Sequence, residues 1–118
     1  MMNNAQISQK ALVYICSPYA GDVQENLHRA RMYSRFAAFR NAIPVTPHLL
    51  YPQFLQDADS AERQIGIECG MTLLSLCDEL WVFGDRISKG MAAEIEYAKS
   101  ACIPIRYFAL VPREVKAE

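Results

Sequence analysis

Apolar residues in this chain come in short unbroken runs that alternate with longer stretches of helical periodicity. Residues Ala11 to Cys16 form a continuous run of β-branched and aromatic side chains, the pattern of a strand covered on both faces. Ser17 to Asp22 breaks it as a loop, with Pro18 and Gly21 as the interrupting residues. From Glu25 to about Arg40 the spacing predicts a helix whose small-residue side is Leu27, Ala30, Ser34, Ala37 and Ala38. Ile43 to Val45 reads as a second strand ended by Thr46, Pro47 and His48. Leu49 to Gln56 reads as either a helical turn or an ordered loop. Asp59 and Glu62 form an analogue of a capping box for a helix that turns Ile65, Cys69, Leu73, Leu76 and Cys77 inward. Glu79 to Phe83 is a third strand, Ser88 to Ala101 a last long helix, and Ile103 to Phe108 a fourth strand with Pro104 near its start.

Strands that alternate with helices imply parallel pairing through right-handed crossovers. The expected fold is α/β: a doubly wound, Rossmann-like or flavodoxin-like three-layer sandwich on a mainly parallel sheet of four or five strands. Residues 1–10 read as a polar flexible leader, 11–110 as a single domain and 111–118 as a charged tail. In such sheets ligands bind beyond the carboxyl ends of the strands, where the strand order reverses. The loops after Cys16, Val45 and Phe83 open onto that edge and carry Ser17, Tyr19, His48, Asp85 and Ser88.

The last helix carries a chemical anomaly. Met91, Ile95, Ala98 and Cys102 recur at helical spacing on one face, and Glu94 lies among them, while Glu96 points with Lys99 and Ser100 to the polar side. A carboxylate on an apolar face is costly unless it is paired, hydrogen-bonded or used. Two readings stay open: a buried ion pair with an arginine, or a functional group. Tyr14 on the first strand could hold Glu94, or be a core aromatic with one hydrogen bond. Ser88 can cap the last helix, and Gly90 lets a ligand approach the backbone where the free amides favour an anion. His48 could contact a ligand or simply pack. Asp85 reads first as a solvated aspartate, Asp78 as a brace for the turn into the third strand, and Asn26 as a residue bonding to the backbone of the first loop.

Composition narrows the class. Twelve basic against thirteen acidic residues leave a net charge of -1, which gives no field for a nucleic-acid polymer or an anionic membrane. No apolar run reaches the length of a membrane span. The four cysteines (16, 69, 77 and 102) lack metal-like spacing and read as reduced core thiols, so a cytoplasmic address is expected. Cys16, beside the first loop, is the one placed to react.

Tyr14-Ile-Cys-Ser-Pro18, Thr46-Pro-His48, Asp78, and Gly90 followed by Glu94 together resemble the nucleoside 2-deoxyribosyltransferase superfamily, including its deoxynucleoside 5'-monophosphate N-glycosidases. The motifs Ser-Pro-Tyr, Pro-His-Leu-Leu and Ser-x-Gly-Met-x-x-Glu look closest to a small branch in bacteria and phages that has no assigned activity. The resemblance spans Leu12 to Phe108. It implies cleavage of an N-glycosidic bond in a nucleoside or nucleoside 5'-monophosphate, with Glu94 as nucleophile and Tyr14 positioning it. Ser17, Ser88 and Gly90 would hold a 5'-phosphate or hydroxyl, His48 and Tyr19 would line the base pocket, and Pro18, Gly21, Asp85 and Met91 would complete the substrate contacts. It implies no metal or redox cofactor, and a homodimer or larger homo-oligomer. Apolar Leu49 to Leu55 and the aromatic side of the first helix (Tyr33, Phe36, Phe39) are candidates for that interface.

The chain departs from the family pattern at three places. Ser88 stands where the transferases carry Asp, which implies hydrolysis over base transfer. Gly70 stands where the N-glycosidases carry a catalytic Asp, with Glu68 the only nearby substitute. Ala20 stands where their phosphate loop carries Arg. These departures sustain two alternatives: a non-catalytic module that binds or senses a nucleotide or nucleotide-sugar, and a scaffold in which Glu94 is paired structurally.

Overall fold

The computed structural model describes residues 9–109. The charged tail and the leader, except Gln9 and Lys10, lie outside the described residues. Four strands, β1 (Leu12–Cys16), β2 (Ile43–Val45), β3 (Glu79–Phe83) and β4 (Ile105–Phe108), form one all-parallel sheet in the order β2-β1-β3-β4. Helix α1 (Val23–Phe39) covers one face, and α2 (Ser60–Ser75) and α3 (Lys89–Ser100) cover the other. This is the three-layer doubly wound fold expected from the alternation. The chain leaves β1 toward β2 and returns to β3 on the other side, so the order reverses between β1 and β3.

Period-two alternation divides the core. Val13, Ile15, Trp81 and Phe83 face α1, where they pack with Tyr33, Phe36 and Ala37. Tyr14, Cys16, Leu80 and Val82 face α2 and α3, where they meet Leu74, Met91, Ile95 and Ala98. Asp78 braces the sheet as expected, its Oδ2 accepting from Leu12 N at 2.8 Å. Helix α1 starts two residues earlier than its periodicity suggested because Asp22 caps it, accepting from Glu25 N at 3.2 Å. Strand β4 starts after Pro104, which has no N–H to give to the ladder. The segment after β2 resolves into two 3-10 turns, Pro47–Leu49 and Tyr51–Gln53.

Several expected inward faces are different. Tyr33 and Phe36 lie in the core against Phe83, so they cannot form an interface; Phe39 stays exposed, and so does Ala38. In α2 the buried positions are Gly70 and Leu74, whereas Ile65 is 48% exposed and Leu76 66%. Asp59 caps α2 through Ala61 N and Glu62 N, but the Glu62 carboxylate accepts from Gln56 N, so the reciprocal half of the box is made with the preceding loop. Cys16 and Cys77 are core thiols, Cys69 is half-buried, and Cys102 is exposed in a left-handed conformation (φ 59°) after α3.

Candidate active site

The site lies at the carboxyl edge of β1 and β3, where the strand order reverses. Tyr14 is turned by the strand alternation toward α3, and Glu94 lies in the second turn of that helix, one turn beyond buried Met91. Tyr14 Oη donates to Glu94 Oε2 at 2.6 Å, the short length of a bond to a charged oxygen. The Cys16 thiol lies 3.9 Å from the Met91 carbonyl oxygen and also approaches Glu94 closely enough to help hold its charge. Among the described residues Glu94 makes no salt bridge: the single ion pair there is Arg29 with Glu25 on α1. The arginine partner considered from spacing is therefore not found.

Burial pushes the Glu94 carboxyl above its ordinary value, against the opposing pull of the bonds from Tyr14 and Cys16. Burial, reinforced by the charge of Glu94, also raises both the Tyr14 hydroxyl and the Cys16 thiol. Both therefore stay protonated and can act as donors to the carboxylate. The arrangement is a desolvated carboxylate held by one neutral donor, the Tyr14 hydroxyl, with the Cys16 thiol close by.

The first loop forms the rim. Asn26 Nδ2 donates to the Tyr19 and Ala20 carbonyls, each at 3.0 Å, and so fixes the loop from α1. Ser17 is 1% exposed, and its Oγ is, among the described residues, a buried polar atom without a hydrogen-bond partner. His48 Nε2 lies 3.1 Å from the Ser17 carbonyl oxygen; a carbonyl only accepts, so this nitrogen carries the proton. Burial lowers the His48 pKa, which keeps the ring neutral and leaves Nδ1 as an acceptor. The Tyr19 ring lies beside it, centroids 5.0 Å apart.

The loop after β3 packs against that rim. Pro18 Cδ lies 3.8 Å from where a Cβ on Gly84 would be, and Gly84 takes a positive φ of 103°. Ser88 Oγ caps α3 by accepting from Met91 N, while Ser88 N donates to Met91 Sδ. Met91 is thus a buried residue whose side chain packs in the core on the α3 side of the sheet. Gly90 is open: nothing lies within 4 Å of a Cβ placed there. Asp85 is exposed, and its charge is felt by Tyr33 on the α1 side. Gly21 has φ 101°, and Arg86 Nη2 lies 4.0 Å from where its Cβ would be. Sequence reasoning passed over Arg86 because a charged loop residue between a strand and its helix cap carries no periodic signal.

Gly70 is part of this centre. A Cβ there would lie 3.3 Å from Tyr14 Oη, so α2 approaches β1 closely at this point. Glu68 does not substitute for an acid at position 70. Two residues along a helix turn the side chain by about 200°, and Glu68 bonds Gln64 on the outer face of α2. An open groove of about 300 Å³ lies on that outer face, lined by Tyr51, Ile65, Glu68, Cys69, Thr72 and Leu73. Among the described residues no group of three or more His, Cys, Asp or Glu could hold a metal ion, and no helix is long and apolar enough to cross a membrane.

The fold is that of a doubly wound α/β protein, with a buried carboxylate at its topological switch point. It is shared with a 2-deoxyribosyltransferase from the psychrotolerant bacterium Bacillus psychrosaccharolyticus: TM-score 0.70 at 14% identity, covering 89% of this chain and 80% of the other. The chain belongs to the family described as a domain of unknown function, DUF7768, whose model matches residues 11–108. No curated protein sequence matches it.

Proposed function

We propose that the protein cleaves the N-glycosidic bond of a nucleoside or nucleoside 5'-monophosphate, hydrolysing it in preference to transferring the base. The observation that carries this reading is the carboxylate of Glu94, desolvated at the ligand edge and held by Tyr14 Oη at 2.6 Å with no cation to neutralise it among the described residues. A structural carboxylate at that depth would be expected to have a cationic partner. Glu94 attacks C1' of the sugar as the bond to the base nitrogen breaks, and the bonding pair leaves with the base. Charge at C1' passes through an oxocarbenium-like transition state to a glycosyl ester on Glu94, which water then cleaves. Tyr14 fixes the orientation of the carboxylate. The fold shared with a 2-deoxyribosyltransferase supports the sugar-nucleobase chemistry.

A second reading, a module that binds a nucleotide or nucleotide-sugar without cleaving it, is favoured by Gly70. That position faces Tyr14 and supplies no acid to protonate a departing base. In either reading the protein works on a small molecule as a homo-oligomer, a proposal supported by the exposed apolar side of α2. Product chromatography on wild type and Glu94→Ala with nucleosides and deoxynucleoside monophosphates separates the two. Free base from wild type alone is the expected result. Ligand-induced thermal stabilisation without any base release would instead establish the binding module.

A further inference from the structure

We infer that the ligand of this site is an N-glycoside with a positively charged base, a quaternary heterocycle that departs as a neutral molecule without taking a proton. The inference rests on the proposed nucleoside or nucleotide site and names the chemical class of base that enters it.

Gly70 ties the relevant groups together. A Cβ there would lie 3.3 Å from Tyr14 Oη and 3.8 Å from Pro47 Cβ. The 3-10 turn that begins at Pro47 therefore comes close to the Tyr14–Glu94 pair, and His48 follows on that turn with its ring beside Tyr19. No group in this arrangement is suited to hand a proton to a departing base. Position 70 has no side chain, and Glu68 bonds Gln64 on the outer face of α2. The His48 ring is neutral, with its proton directed at the Ser17 carbonyl. Burial holds the Tyr14 and Cys16 protons tightly. A neutral base would have to leave as an anion with no acid among these groups to neutralise it, whereas a quaternary one leaves neutral.

The charges point the same way. Glu94 is half-buried, so a ligand can reach it, and it makes no salt bridge among the described residues. Arg86 Nη2 reaches toward Gly21 without pairing with it. A second carboxylate, that of exposed Asp57, acts electrostatically on both Tyr19 and His48. Two half-buried aromatic rings near two carboxylates suit a flat cation. The step then needs no acid. A lone pair of Glu94 forms the bond to C1', and the C1'–N pair passes to the base nitrogen. An anion and a cation become a neutral ester and a neutral base, and loss of both charges is favoured where water is scarce. Water then adds its oxygen to C1', the ester oxygen leaves as the Glu94 carboxylate, and one proton goes to solvent.

The test has two parts. The first measures base release by wild type in mildly acidic buffer from guanosine and 7-methylguanosine and from their 2'-deoxy forms, corrected for release without protein. Nicotinamide riboside is the pyridinium arm and tells an alkylated purine from a pyridinium base. Release from the charged member of a pair is expected to exceed that from the neutral one, beyond the uncatalysed difference, by about a hundredfold, the usual worth of an acid. The second part titrates nicotinamide and N1-methylnicotinamide, which have no glycosidic bond, into wild type and Glu94→Gln by calorimetry. Wild type should favour the cation about tenfold, and Glu94→Gln should not. Neutral bases released as readily as charged ones would overturn this inference and leave the glycosidase reading standing. A preference for the cation that survives in Glu94→Gln, or no preference in either part, would also overturn it. Preferential binding of the cation without any release would remove the glycosidase reading alone.

Discussion

At the scale of single residues, the proton on Glu94 is subject to opposed pulls. Loss of water favours the neutral acid, the bonds from Tyr14 and Cys16 favour the anion, and burial is the larger effect. The folded protein therefore holds this proton more tightly than the unfolded chain. Its contribution to stability is complete below the ordinary value of 4.5, declines as pH rises through the raised folded value, and is level above it. Glu94→Gln is accordingly expected to melt above wild type near neutral pH, with the difference vanishing in acid below 4.5. Thermal melts across that range check it, and a variant less stable at neutral pH would mean that the anion is stabilised, not strained. Glu94 was legible in the sequence because a carboxylate on an apolar stripe violates its own pattern.

Among the elements, α2 departs furthest from its periodicity. Of the expected inward set Ile65, Cys69, Leu73, Leu76 and Cys77, only Leu73 and Cys77 pack with the core, Ile65 and Leu76 are exposed, and the buried positions of the helix are Gly70 and Leu74. Periodicity counts apolar side chains, and a glycine contributes none, so a face chosen for closeness of approach is invisible to it. The strands and the start of α3 were readable because unbroken apolar runs and a serine cap are local signals. Close approach at Gly70 makes that residue a spacer for the Tyr14–Glu94 bond. In Gly70→Ala the methyl would press on Tyr14 Oη from 3.3 Å. The gain in helix propensity, about 1 kcal/mol, should roughly offset the crowding. Stability is thus expected to change little while base release falls about tenfold or more, as misplacing a reacting group does. Kinetics paired with melting curves check this, and parallel losses in both would reduce Gly70 to a packing residue.

For the molecule as a whole, alternation of runs was enough to foretell the doubly wound sheet and the edge on which its loops converge. It could not say which surfaces stay wet. Leu50, Phe54, Ile65 and Leu76 are all exposed, and a helix side that reads as a core face but meets solvent is suited to a second copy of itself. The wild type is expected to elute above the mass of one chain in size-exclusion chromatography with light scattering. Ile65→Glu combined with Leu76→Glu should return it to one chain without loss of helical circular dichroism; a monomeric wild type would leave the α2 face unexplained. The two sides of the sheet also differ in what they can report. Trp81, the chain's single tryptophan, is 4% exposed on the α1 side, its Nε1 donating to Glu79 Oε1 at 2.7 Å and its ring 5.0 Å from the Arg106 guanidinium. Glu94 and Tyr14 lie across the sheet from it. Tryptophan emission, excited apart from the six tyrosines, is therefore expected to gauge folding while staying dark to events at the proposed site, and a ligand there will have to be seen by some other light.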